Sequence, residues 1–373
     1  GGRSVGVVLD DVAGTATATL LVRVESFALL AEADQERRVV AWGQVLAGLA
    51  RETSRVRRVG WVERTVPAEV DEIGAFFAAE RDRSLALDSP SLLSYAALIE
   101  SSSAAASEHE CFVSVQIDVR ARRREIRQRA VATSSADAAA AAIVVDELRL
   151  VAQGLDDAGV GTVGALPPRL LAAAIRHGID PAARALLGRV AVAGGDEGCA
   201  PSAAGPLVVD ELWDRARSDS GWHATFWISR WPLRDVGCLF LSSVINRTQA
   251  HRTIAVVAEP IPPTRAHREA EQAVVREEGD RTTRERHGFL ETARQRHRKD
   301  SVVERERELA DGHALVRFAG YVTVVAESSD ALDAACAEVV QAAQHSHLDL
   351  RRLVGEQLET LAFTLPGLCK GLD

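Results

Sequence analysis

Gly159-x-Gly161-x-x-Gly164 spells a dinucleotide-binding fingerprint, with Asp180 downstream at about the spacing of an acid that meets a ribose hydroxyl. That chemistry needs the glycines after a strand and at a helix N-terminus, where backbone N–H groups meet pyrophosphate. Here they follow an Ala-rich helical stretch and fall inside the next predicted strand, and Pro167-Pro168 intervenes before the following helix. A glycine-bearing strand is the expected reading, with no cofactor. A phosphate-binding P-loop needs a lysine next to Ser or Thr. The chain has two lysines, Lys299 before Asp300 and Lys370 before Gly371, so neither qualifies.

Metal and nucleophile chemistry fare no better. His345-x-His347, with Cys336 or Asp349, could ligate a metal, but a solvated turn before Leu348 is the expected reading. There is no HExxH, GxSxG or CxxC, and His109-Glu110-Cys111 reads as a loop-to-strand junction without a nucleophile. Cys111, Cys199, Cys238, Cys336 and Cys369 are odd in number and without metal-ligand spacing, which fits free thiols in a reducing compartment. No catalytic, cofactor or metal residue is assigned, and the expectation is a protein that is not an enzyme.

Two basic clusters and a set of tryptophans remain. The clusters are Arg120, Arg122, Arg123, Arg124, Arg127 and Arg129, directly after a strand, and Arg294, Arg296, Arg298 and Lys299. Either could neutralise phosphates. The second lies in Thr264–Asp311, where twelve acids balance twelve bases, so a solvated helical hairpin is expected, with Gly279 and Gly288 as break points. Pairs such as Arg265/Glu269 add only tenths of a kcal/mol each. Trp213, Trp222, Trp227 and Trp231 are core candidates, and alternation puts Trp227 and Trp231 on one strand face as interface anchors.

The elements that position these residues come from a chain of 373 residues, 47% hydrophobic and 26% charged, with formal net charge −9. Such a chain can bury a core, and its acidity argues against bulk binding to nucleic acid or anionic lipid while leaving room for a local patch. No apolar run is long enough to span a bilayer. The chain opens on Gly1-Gly2 and not on Met, so a piece of a longer protein is expected.

Strands are predicted over Thr15–Glu25, Arg55–Arg64, Cys111–Val119, Gly159–Leu166, His223–Trp231, Arg252–Glu259, Ala314–Glu327 (interrupted at Gly320) and Leu348–Val354. Cys111–Val119 alternates cleanly and reads as half-buried. Helices are predicted from Asp34 as cap to Glu52, over Glu69–Arg81, Pro90–Ser101 and Ala138–Gln153 (capped by Asp137), from Pro167 to His177, and over Leu233–Asn246. Two more run from Ser328 or Ser329 along Leu332, Cys336, Val339 and Ala343, and over Gln357–Phe363. The order gives an α+β fold of two pseudo-repeated ferredoxin-like (βαββαβ) halves, residues 1–192 and 207–373, joined by a loop at 193–206 and carrying helical insertions.

Seven phrases stand out together: RVVAWGQVLAGLA (38–50), VGWVERT (59–65), YAALIE (95–100), WHATFWISRWP (222–232), RTIAVVAEP (252–260), GHALVRFA (312–319) and RRLVGEQLETLAFTLPGLCKGL (351–372). With them the chain resembles an actinobacterial family encoded with conjugative-element or type IV secretion-like genes, beside a small PrgI-type membrane protein and a conjugation ATPase. The soluble part looks like the N-terminal domain of TraC/TrbE-type conjugation ATPases, in which a Leu-Pro-Gly-like element, here Leu365-Pro366-Gly367, precedes the motor domain. The resemblance implies a non-catalytic assembly component at the cytoplasmic face of a membrane, anchored outside this chain. Its implied partners are a secretion ATPase, the small membrane protein and other copies of itself. A nucleic-acid-binding accessory factor of transfer, or the front part of a larger secretion ATPase, are the alternatives.

Overall fold

The computed structural model describes the chain apart from residues 1–3, 24–26, 68–76, 78, 83, 85, 87, 104–106, 134, 193, 247, 249, 287–303, 305–306, 310–312 and 373. The predicted helix at Glu69–Arg81 falls mostly outside these residues, as do Gly288, Arg294, Arg296, Arg298 and Lys299.

The fold is α+β, built on one antiparallel sheet of 11 strands. The strands are β1 (Val7–Asp10), β2 (Thr15–Arg23), β3 (Val56–Pro67), β4 (Ser107–Asp118), β5 (Gly161–Ala165), β6 (Val209–Glu211), β7 (Ala216–Ser218), β8 (Gly221–Arg230), β9 (His251–Ile261), β10 (Leu315–Ala326) and β11 (Asp349–Arg352). The order is β1-β2-β4-β3-β9-β10-β8-β7-β6. β5 shares the outer edge of β2 with β1, and β11 shares the outer edge of β8 with β7. The sheet is continuous because β3 pairs with β9, Val59 opposite Ala258 through Thr65 opposite Arg252.

Helices α1 (Glu32–Leu49), α2 (Pro90–Ser103), α3 (Arg123–Thr133), α4 (Ala136–Asp157), α5 (Pro168–Ile179), α6 (Ala182–Val192), α7 (Ser242–Asn246), α8 (Pro263–Arg286), α9 (Ser329–His345) and α10 (Gln357–Leu361) connect them. The helix starts differ from expectation in two places. Ala31, not Asp34, precedes α1, and Ser135, not Asp137, caps α4 by accepting from Ala138 N. A cap must lie outside the helix with extended backbone, and both acids sit inside the first turn, where they complement the dipole instead. Ser328 caps α9 as expected.

Two helical cores lie on one sheet face. Ile143, Val144, Leu148 and Val151 of α4 pack on Ala18, Leu20, Val113 and Val115, and Leu332, Cys336 and Val339 of α9 pack on Ala224, Phe226, Val322 and Val324. Burying each such side chain contributes roughly 1.5–3 kcal/mol. β10 runs through Gly320 without a break, contrary to expectation. An added Cβ there would lie 2.6 Å from the Trp231 ring, so the missing side chain is the space Trp231 fills. α8 likewise runs through Gly279, because one glycine costs only about 1 kcal/mol in a 24-residue helix. Leu233–Asn246 is helical only as α7, since Arg234–Gly237 adopt turns and irregular backbone.

The opposite sheet face is rich in hydroxyls: Thr17, Thr19, Ser114, Thr225 and Thr323 are all buried. β4 is therefore covered on both faces and not half-buried. Its cover is the C-terminal segment from α10 to Leu372, which crosses the sheet as a strap. Thr225 N donates to Gln357 Oε1 (3.3 Å), and Thr323 and Thr364 hydroxyls meet at 2.8 Å. Gly367 N donates to Ser114 Oγ (3.0 Å) and Gln116 Nε2 to Leu368 O (3.0 Å). Arg58, deep in the sheet, donates to the carbonyls of Cys369 and Leu372 (3.4 and 3.1 Å), and the Tyr321 hydroxyl donates to Gly371 O. The strap thus touches strands from β8 to β4.

Candidate interaction surfaces

Gly161 and Gly164 of the glycine motif lie in strand β5, as expected, paired with Arg23 and Leu21, but Gly159 falls short of it, in the turn after α4 with φ +75°. The Asp180 carboxylate pairs with Arg176 (2.9 Å), which also meets Asp219 (2.8 Å), tying α5 to the β7–β8 turn. Beside them the Ser218 hydroxyl donates to Ile179 O (2.7 Å), and His223 Nε2 lies 2.7 Å from the same hydroxyl. With the hydroxyl proton committed to the carbonyl, the imidazole proton sits on Nε2, and burial pushes His223 down to about 4. Both residues are sealed from solvent, so this serine–histidine pair is a structural lock and not a nucleophile.

His109 lies inside β4 and not at its junction, facing Glu63 of β3 at 2.7 Å, while the Thr65 hydroxyl donates to the same Glu63 oxygen (2.8 Å). Neighbouring Cys111 is pushed up to about 12 by burial and then by Glu63 and Glu110, which makes it an inert thiol. Burial alone would raise Glu110, but Arg64 and Arg184 outweigh it and hold the carboxyl below its usual range. Arg252 is fully buried and donates to the carbonyls of Ile245, Thr248 (3.3 Å) and Ala250 (3.0 Å), a cation closing the C-terminal end of α7. Among the described residues no group of three or more His, Cys, Asp or Glu is placed to hold a metal. His347 instead contacts Arg234. Among the same residues no helix is long and apolar enough to cross a membrane.

The two predicted tryptophan anchors part company. Trp227 lies in β8 opposite Tyr321, on the strap side of the sheet, and is partly exposed. Trp231 stands just past the end of β8, packs edge-on against Phe318 (5.3 Å) and joins the α9 core. Alternation fails because β8 ends at Arg230, and beyond it the chain no longer keeps the period of two.

Trp213, singled out by sequence only as one of a cluster, is the presented one. It sits in the β6–β7 turn, 72% exposed. Its carbonyl accepts from Gly355 N (2.7 Å), and Gly355 has φ +87°, a conformation that favours glycine. Any Cβ at Gly355 would meet the Trp213 ring at 3.3 Å. The turn is clamped further: Arg352 donates to Asp214 O (2.8 Å), Arg215 pairs with Asp214 and Asp333 (3.0 Å each), and Leu358 N donates to Glu211 Oε1 (3.0 Å). The hydrogen bond from Arg215 lowers Asp214 below the usual carboxylate range. Leu207 (81% exposed), Val208, Val209 and Leu212 line the same hairpin, and β6 ends the sheet. A second apolar surface is α2, which leaves Leu93, Tyr95 and Leu98 exposed on the insertion between β3 and β4.

Of the first basic cluster, Arg120 donates to Val12 O (2.7 Å) and Arg122 to Ser54 O (2.6 Å), while Arg129 pairs with Asp146 (2.5 Å). Arg123, Arg124 and Arg127 stay exposed on the outer face of α3, and among the described residues none has an acid partner. In the charged segment Arg265 pairs with Glu269 as expected (2.8 Å). Leu309 returns to pack with Ala266 and Ala270 of α8.

Comparison of the chain with models of known protein families and with curated proteins finds no match.

Proposed function

We propose that the chain is a non-catalytic assembly component of a conjugation or secretion apparatus, a platform that docks an ATPase and membrane partners. The observation that carries this reading is Trp213, an exposed indole held in one geometry by Gly355 and by the Asp214–Arg215–Arg352–Asp333 cluster. A rigid aromatic loses little entropy on docking and so makes an efficient anchor. An edge strand rimmed with Leu207, Val208 and Leu212 adds main-chain hydrogen-bonding capacity at the same place.

The architecture supports the reading at the level of fold. With α2, α3 and α8 set aside as insertions, residues 15–165 run strand, helix, strand, strand, helix, strand in the sheet order β5-β2-β4-β3, and residues 221–352 repeat it as β11-β8-β10-β9. That is the order of a ferredoxin-like unit. We read the sheet as two such pseudo-repeated halves joined edge to edge.

The test is co-elution of the purified chain with a conjugation ATPase and a PrgI-type protein, the partners that the resemblance implies. A stable complex that Trp213→Ala weakens supports the platform. Separate elution of all three at micromolar concentration sinks it.

A further inference from the structure

The outer face of α3 breaks a local rule without a structural return. Arg123 and Arg124 occupy its first turn and Arg127 its second, at the positive end of the helix dipole, where acids are favoured. Ile126 and Ala130 face the core, so Arg123, Arg124 and Arg127 project to solvent. The nearby acids are engaged elsewhere: Glu125 with Arg55 (2.8 Å), Asp118 with Arg57 (3.4 Å) and Asp10 with Lys370 (3.2 Å), leaving Asp11 at the rim. On a chain of net charge −9 this is a local basic surface.

Two valines frame it. Val12, at the tip of the β1–β2 turn, is 89% exposed, and its carbonyl is held by Arg120. Val131, two turns after Arg124 on the same face of α3, is 88% exposed. Phosphate backbones reward the arginines but give nothing for protruding valines. An anionic bilayer rewards both, through headgroup charge and through apolar side chains entering the headgroup boundary.

We propose that Arg120, Arg123, Arg124 and Arg127, with Val12 and Val131, form a peripheral docking face for an anionic lipid surface. The face adds a lipid partner to the platform role. It rests on that reading only for the nearness of a membrane, and co-elution with protein partners does not depend on it.

The test uses the whole chain and vesicles of phosphatidylcholine with 30% phosphatidylglycerol, sedimented at low and at high salt. Wild type sediments with these vesicles and not with pure phosphatidylcholine, and high salt releases it. Arg123→Glu/Arg124→Glu/Arg127→Glu lowers partitioning by at least about a hundredfold, from roughly fivefold per basic residue. Val12→Ser/Val131→Ser lowers it by about tenfold or more at unchanged thermal midpoint. Equal binding by wild type and the arginine variant, or none by either, overturns the proposal. So does a gel shift of duplex DNA that the arginine variant loses and the valine variant keeps, which would assign the face to phosphate backbones.

Discussion

The Gly367 backbone N–H donates to the Ser114 hydroxyl at 3.0 Å, joining the strap to the middle of β4 across 253 positions of sequence. The same hydroxyl lies 3.0 Å from Thr19 Oγ1, so one serine links β2, β4 and the strap. Ser114→Ala removes little but the hydroxyl and strands two buried partners. Leaving a buried group unsatisfied costs about 1–3 kcal/mol. Urea denaturation is expected to show a loss in that range, and a loss below about 0.5 kcal/mol would mean the strap does not hold the sheet.

Arg58 clamps the strap end through two carbonyls while buried beneath it. Arg58→Met is expected to loosen residues 368–372 first. Amide exchange there should accelerate while β4 and β10 stay protected, because local opening precedes global unfolding. Uniform acceleration across the sheet would contradict a separable strap.

His223 sets a pH dependence. Its folded value is about 4, depressed by burial, against about 6.5 for an exposed imidazole. The unfolded chain therefore binds the extra proton between these values, so stability is full above about pH 6.5 and falls as pH drops toward 4. The loss attributable to this residue is up to about 3 kcal/mol. His177, also depressed to about 4 by burial and then by Arg64, acts in the same direction. His223→Gln should flatten the stability profile between pH 6.5 and 4, as read by thermal midpoints. An unchanged slope would refute the assignment.

Gly320→Ala drives a methyl into the Trp231 ring, which also packs on Phe318. Overpacking of this kind costs about 1–3 kcal/mol. Tryptophan fluorescence should shift as Trp231 is displaced, and the companion Trp231→Leu should restore much of the stability. Additive losses in the double variant would rule out the contact.

Trp213→Ala separates folding from docking. The ring is mostly exposed, so chain stability should change by less than about 1 kcal/mol. Partner affinity should fall by about thirtyfold or more, the mark of an interface anchor. Equal affinity would move the docking surface elsewhere, with α2 next in line.

Strong periodicity made the long elements legible. The alternation of Val113, Val115 and Ile117 gave β4, and Leu332, Cys336 and Val339 gave α9. The strap's role was not legible, because its bonds to Thr323, Thr225 and Ser114 join residues 41, 132 and 253 positions apart, and a hydroxyl-rich strand face reads as solvated. β6 and β7 are three residues each, too short to show a period. The arginines after β4 were visible, but not that Arg122 in the turn before α3 and Arg129 within it are engaged while three others face outward. Trp213 was hidden for a similar reason: what presents it is the conformation of Gly355, 142 positions away.

The β3–β9 pairing has a mechanical consequence. The hairpin β3–β4 carries the α2 insertion beyond Pro67, and β9–β10 carries α8 beyond Ile261. Since the two strands run antiparallel, those ends lie at opposite limits of the sheet, roughly 36 Å apart at 3.3 Å per residue. A pull between the two insertions runs along the strands and loads the ladder from Val59 to Thr65 in shear, so its hydrogen bonds resist together. A force applied across the strands would open them one at a time. The molecule is stiff along one axis, between its apolar insertion and its charged one, and that axis is the direction in which it can act as a strut.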